Sequence, residues 1–140
     1  MDSRRRRPPR PTVVTWLAAG VLTFAAFYLA RLVLSLGLPD LPLSVPDWYL
    51  PLTGGVWGGL GLALGLGMWR GSRRAYRALF RAAPVYLGWY WMDRLLFVHT
   101  DFSRRSLPAG LLLSVVGLLL LYLALTRPSA RAYFTERTDG

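Results

Sequence analysis

Residues 51–69 read P-L-T-G-G-V-W-G-G-L-G-L-A-L-G-L-G-M-W, a run of 19 positions with no charge and seven glycines. That length approaches the roughly 20 residues a helix needs to cross the hydrocarbon core of a bilayer. Wound as a helix, the run carries two stripes of small residues. Gly54, Gly58, Gly61 and Gly65 step by four, three and four, and Gly55, Gly59, Ala63 and Gly67 step by four throughout. In lipid, burial of apolar surface does little to bring helices together, whereas small-xxx-small faces let backbones approach closely. Left unpacked, such a helix would be weakened by its glycines, about 1 kcal/mol each relative to alanine. The stripes therefore predict a packed face, with packing inside the chain favoured over packing between copies.

Three further segments flank this one. Residues 13–36 are apolar apart from Arg31, and residues 107–126 are apolar throughout, with Ser106 as the expected N-cap. Residues 78–98 hold Arg81, Asp93 and Arg94, and their uninterrupted apolar core is only 82–92. Charges near mid-bilayer cost about 2.5–3.5 kcal/mol each on insertion scales, so this third span needs its neighbours. The first run is longer than the apolar core of a signal peptide and no small-residue cleavage site follows it, which reads as a retained anchor. The predicted organisation is a basic, Pro-rich tail over 1–11, a four-helix transmembrane domain over 12–127 and a tail over 128–140. The fold class is an all-α membrane protein, a four-helix transmembrane bundle with both ends inside.

Direction follows from charge. The 140 residues carry a formal charge of +10, and every Lys/Arg-type cation is Arg. Arginines cluster at Arg4–Arg7 and Arg10, at Arg70, Arg73, Arg74, Arg77 and Arg81, and at Arg127, Arg131 and Arg137. Four crossings place these three clusters on one side and leave only Arg104 and Arg105 in the opposite loops. Short loops rich in Arg stay cytoplasmic, which predicts a multi-pass protein of a bacterial inner membrane with both termini in the cytoplasm. A three-span alternative, with 78–98 lying on the surface, would export the C-terminal arginines against that rule. Clustered rather than uniform basicity argues against nucleic acid as a partner. It favours anionic headgroups of the bilayer, with other membrane subunits or further copies of the chain as additional partners.

The loop 38–50, L-P-D-L-P-L-S-V-P-D-W-Y-L, has three prolines that forbid a regular helix through most of it. Trp48 and Tyr49 suit an interfacial aromatic belt. A lid over an outward cavity is the functional alternative to a simple connector. Near the C-terminus, 129–135 predicts a short amphipathic turn with Tyr133 and Phe134 on the inner leaflet.

Two intramembrane charges stand out. Arg31 and Asp93 lie about equally far from the outer ends of two helices that run in the same direction, which predicts an interhelical ion pair. Arg94 would turn aside towards the outer headgroups. Tyr86, Tyr90, Asp93 and Phe97 share a face, with Trp89 on its flank and Trp91 turned away. An aromatic wall beside a carboxylate suits a cation; a structural pair satisfied by tyrosine hydroxyls needs fewer assumptions. His99 and Asp101 would add at most a weak pH-sensitive group at the outer surface.

The blocks P-D-W-Y-L-P-L-T-G-G-V-W-G (46–58), G-M-W-R-G (67–71), Y-W-M-D-R-L-L (90–96) and R-A-Y-F (131–134) resemble those of a group of small, uncharacterised four-span bacterial membrane proteins. The resemblance covers most of the chain after the N-tail. It implies the span count and draws attention to Asp93–Arg94, and it brings no activity, substrate or cofactor.

With no Cys, disulfides, thiolate metal sites and a cysteine nucleophile are excluded, and one His rules out a multi-histidine metal site. No G-x-S-x-G, H-E-x-x-H or P-loop pattern is present, so neither an enzyme nor a cofactor is expected. The favoured role is a non-enzymatic structural or accessory subunit, a scaffold in the membrane. The alternative is a small oligomeric transporter or proton-coupled exporter of organic cations that uses Asp93.

Overall fold

A computed structural model describes residues 10–37, 46–97 and 101–136, with the side chains of all of these except 97, 101–106 and 136. They form five helices: α1 (Thr12–Gly37), α2 (Tyr49–Trp69), α3 (Arg73–Phe97), α4 (Asp101–Thr126) and α5 (Pro128–Glu136). No strand occurs among the described residues. Helices α1 and α2, and residues Leu107–Thr126 of α4, are long and apolar enough to cross a membrane. All regular structure among the described residues is helical, and three of its helices suit a membrane protein.

The glycine stripes of α2 have different fates. Gly54, Gly58, Gly61 and Gly65 are all buried, and α1 lies directly on them. A Cβ at Gly54 would sit 3.1 Å from the Tyr28 carbonyl oxygen, and one at Gly61 would sit 3.1 Å from the Ala25 Cβ. At Gly58 and Gly65 it would fall 2.8 Å from Leu29 Cδ2 and 2.6 Å from Leu22 Cδ2. This stripe packs within the chain. The other stripe divides. Gly67 abuts Ala75, 2.6 Å from where a Cβ would stand, whereas Gly59 has nothing within 4 Å and Ala63 is exposed.

The end of α2 is set by Gly71, whose φ of 75° favours a residue without a Cβ. Its N–H bonds the Met68 carbonyl at 2.9 Å and the Ser72 N–H bonds the Gly67 carbonyl at 2.8 Å, the paired pattern of a Schellman turn. The Ser72 hydroxyl then accepts from the Ala75 N–H at 3.4 Å and caps the next helix. The reversal is so tight that α3 begins at Arg73, not 78. Arg73, Arg74 and Arg77, expected between the second and third spans, stand instead on its first turns.

Helix α3 runs antiparallel to α2 over its whole length. Ala75 meets Gly67 at one end, Tyr86 and Trp89 meet Trp57 midway, and Asp93 meets Tyr49 at the other. Between 84 and 96 its exposed positions are Pro84, Val85, Gly88, Met92, Leu95 and Leu96, while Tyr86, Trp89, Tyr90, Asp93 and Arg94 are half-buried. Helix α4 starts at Asp101, so Ser106 is inside the helix rather than its cap.

The C-terminal segment corrects the expected placement on the inner leaflet. Ala130, Tyr133 and Phe134 of α5 are buried against Val14, Met68 and Leu125. Tyr76 stacks on Phe134 with ring centroids 4.8 Å apart, and its hydroxyl donates to the Leu125 carbonyl at 2.6 Å. Aromatic rings therefore fill the basic end of the bundle, where they are covered by protein rather than lipid. Arg10 closes the same end: its Nη2 donates to the Trp69 carbonyl at 2.6 Å, and its guanidinium lies 4.4 Å from the Trp69 ring centroid. That bond satisfies one of the carbonyls left without a partner at the end of α2.

Candidate functional site

Arg31, Asp93 and Arg94 lie on the turns of α1 and α3 away from α5. Asp93, on the last turns of α3, accepts a hydrogen bond from the Tyr49 hydroxyl. Trp89 stands one turn earlier on α3. Tyr49 is thus the first residue of a helix and the partner of the carboxylate, whereas the sequence placed it in an interfacial belt.

Among the described residues, Arg31 and Asp93 form no ion pair, and helix register explains why. Helices α1 and α3 meet where the hydroxyls of Tyr28 and Tyr86 lie 2.9 Å apart. Arg31 is three residues beyond Tyr28 and Asp93 seven beyond Tyr86. On parallel helices that difference is ~6 Å of rise. The guanidinium of Arg31 instead lies 6.0 Å from the Tyr28 ring centroid, a cation–π distance.

Arg94 also departs from the expected path. Its Nη1 donates to the Tyr90 hydroxyl at 2.8 Å, and its guanidinium carbon lies 5.9 Å from the Trp91 ring centroid. It faces α4, where a Cβ on Gly110 would be 3.3 Å from Arg94 Nη1. The small residue at 110 makes room for the cation. Phe97, by side chain, and His99, altogether, lie outside the described residues, as do the side chain of Asp101 and residues 38–45 of the 38–50 loop read as a connector or lid.

The aromatic wall exists, but its rings are spent on one another. Tyr86 is its hub, with Phe24 and Trp57 set edge-on at 4.9 and 5.0 Å and Trp89 at 6.0 Å. Trp57 and Trp89 lie 5.3 Å apart. Edge-to-face contacts of this kind contribute about 0.5–1.5 kcal/mol each beyond burial. Tyr86 and Tyr90 also border an open groove of about 560 Å³ against Gly110, Leu113 and Ser114 of α4. Below Tyr86 is an apolar cavity of about 300 Å³, bounded by Phe24, Trp57, Leu60, Leu79 and Leu121. The arrangement ties α1, α2 and α3 together through Tyr86.

Sequence reasoning selected Asp93, Tyr86 and Tyr90 and missed Tyr49 and Tyr28. A usable signal was present: Tyr49 and Asp93 lie 22 residues either side of Gly71. In a tight helical hairpin, residues equidistant from the turn face each other.

Comparison of the chain with protein-family models, curated proteins and solved structures finds no match.

Proposed function

We propose that the chain is a non-enzymatic accessory or structural subunit of a bacterial inner membrane, crossing it four times with both ends cytoplasmic. The fourth crossing is α3. Its support is the inverted surface of that helix: every exposed position from 84 to 96 is apolar, and the polar side chains turn inward. Lipid, not water, is the solvent such a surface suits. At 25 residues α3 is ~37 Å long, enough to cross.

The observation that carries the accessory role is the open half of the glycine face. Gly59 and Ala63 keep a strip of α2 nearly free of side chains where nothing among the described residues packs. Glycine weakens a helix unless close packing repays it, and a helix from another membrane protein would do so. Purification from native membranes in mild detergent tests this. A stable complex with a second protein, lost in Gly59→Leu, is the expected result; a solitary monomer overturns it. The transporter reading loses support from the mutual packing of the aromatic rings beside Asp93.

A further inference from the structure

The outer face of α3 at the basic end offers a second feature, separate from the Asp93 region. Arg74, Arg77 and Arg81 form one exposed stripe at spacings of three and four, spread over ~10 Å of helix. Like charges at such spacings repel and destabilise a helix. The acids whose side chains are described, Asp47 and Asp93, belong to the opposite end, so neither relieves the repulsion. The stripe borders a groove of about 510 Å³ between α2 and α3. Beyond the guanidinium groups its walls become wholly apolar: Ala78, Ala82 and Val85 on one side, Leu60 and Trp57 on the other. Val85 is 64% exposed, so no part of the described chain fills that half.

A groove that is cationic at one end and apolar along the rest matches an amphiphile with an anionic head and a hydrocarbon tail. A free anion would leave the apolar half unused, and a neutral lipid would leave the arginines unneutralised. We propose that this groove binds an anionic phospholipid of the surrounding leaflet, with phosphate oxygens on Arg74, Arg77 and Arg81 and an acyl chain along Leu60 and Val85. Guanidinium is suited to phosphate because it offers paired N–H donors in a fixed fork. Three cations in a row favour a headgroup with two phosphates over one. The site rests on the proposed crossing by α3 and holds whether or not the chain serves a larger assembly.

Native mass spectrometry of the full chain tests it, titrating diphosphatidylglycerol, phosphatidylglycerol and phosphatidylcholine into detergent-solubilised protein. Diphosphatidylglycerol is expected to bind tightest and phosphatidylcholine weakest. Arg77→Gln with Arg81→Gln should weaken diphosphatidylglycerol binding about tenfold or more, since each arginine near a lipid surface contributes on the order of 1 kcal/mol. Val85→Trp, which fills the apolar half and leaves the charge unchanged, should also weaken it. Arg127→Gln with Arg131→Gln removes the same charge from the same end and should have less than about a twofold effect once salt screens distant charges. Equal losses in the two double variants would overturn the site in favour of diffuse attraction. Full competition by inorganic phosphate, with Val85→Trp silent, would overturn it in favour of a free anion. Circular dichroism checks that each variant is folded, and Arg74→Gln alone replaces the double variant if that one is not.

Discussion

The hydroxyl of Tyr49, on the first turn of α2, donates to the carboxylate of Asp93, near the end of α3. The bond latches the open end of a hairpin whose closed end is the Gly71 turn. Tyr49→Phe removes the donor and leaves the carboxylate short of a partner. Hydrogen bonds between membrane helices contribute about 0.6–2 kcal/mol, so a double-mutant cycle of Tyr49→Phe with Asp93→Asn should give a coupling of that order. Unfolding in mixed micelles measures it. Coupling of the same size between Arg31 and Asp93 would contradict the register described above.

The two glycine stripes should respond differently to a methyl group. Gly54→Ala brings a Cβ to 3.1 Å from a backbone oxygen that cannot step aside, and overpacking of this kind costs about 1–3 kcal/mol. Gly59→Ala meets nothing and should be neutral, or stabilising by up to about 1 kcal/mol through helix propensity. Thermal unfolding of the isolated protein in detergent distinguishes them.

Removing α5 should open the basic end. Phe134 is 1% exposed, and Phe134→Ala is expected to cost about 3–5 kcal/mol. Arg131→Ala on the exposed side of the same helix should be silent. The same unfolding assay reads both.

The absence of Cys makes single-cysteine topology mapping direct. Asp47→Cys should react with a membrane-impermeant thiol reagent in intact cells. Ser72→Cys and Thr135→Cys should react only after the membrane is opened. Labelling of Thr135→Cys from outside would fit three crossings and overturn four.

Much of this architecture was written in residue spacing. The four long helices fall near their expected positions because apolar runs bounded by Pro, Gly and Arg clusters leave little choice, and the buried stripe on α2 follows from its glycine period. Three things were not legible. The start of α3 was set too late because arginines were counted as loop residues, although a helix tolerates them on its exposed side. Tyr133 and Phe134 were assigned to lipid because an amphipathic turn presents the same face to a bilayer as to a protein core. The Arg31–Asp93 pair failed because depth was measured from helix ends, while register is fixed by contacts such as Tyr28–Tyr86. One turn of error is enough to separate two charges.

The docking of α5 also bears on how the molecule is made. Val14 and Met68 emerge during synthesis well before Ala130, Tyr133 and Phe134, so their apolar surface waits for partners until all four long helices have been translated. Closure of that end must follow synthesis of α5. A fusion that holds the C-terminal segment away from the bundle should therefore yield a protein that is delivered to the membrane normally and then degraded.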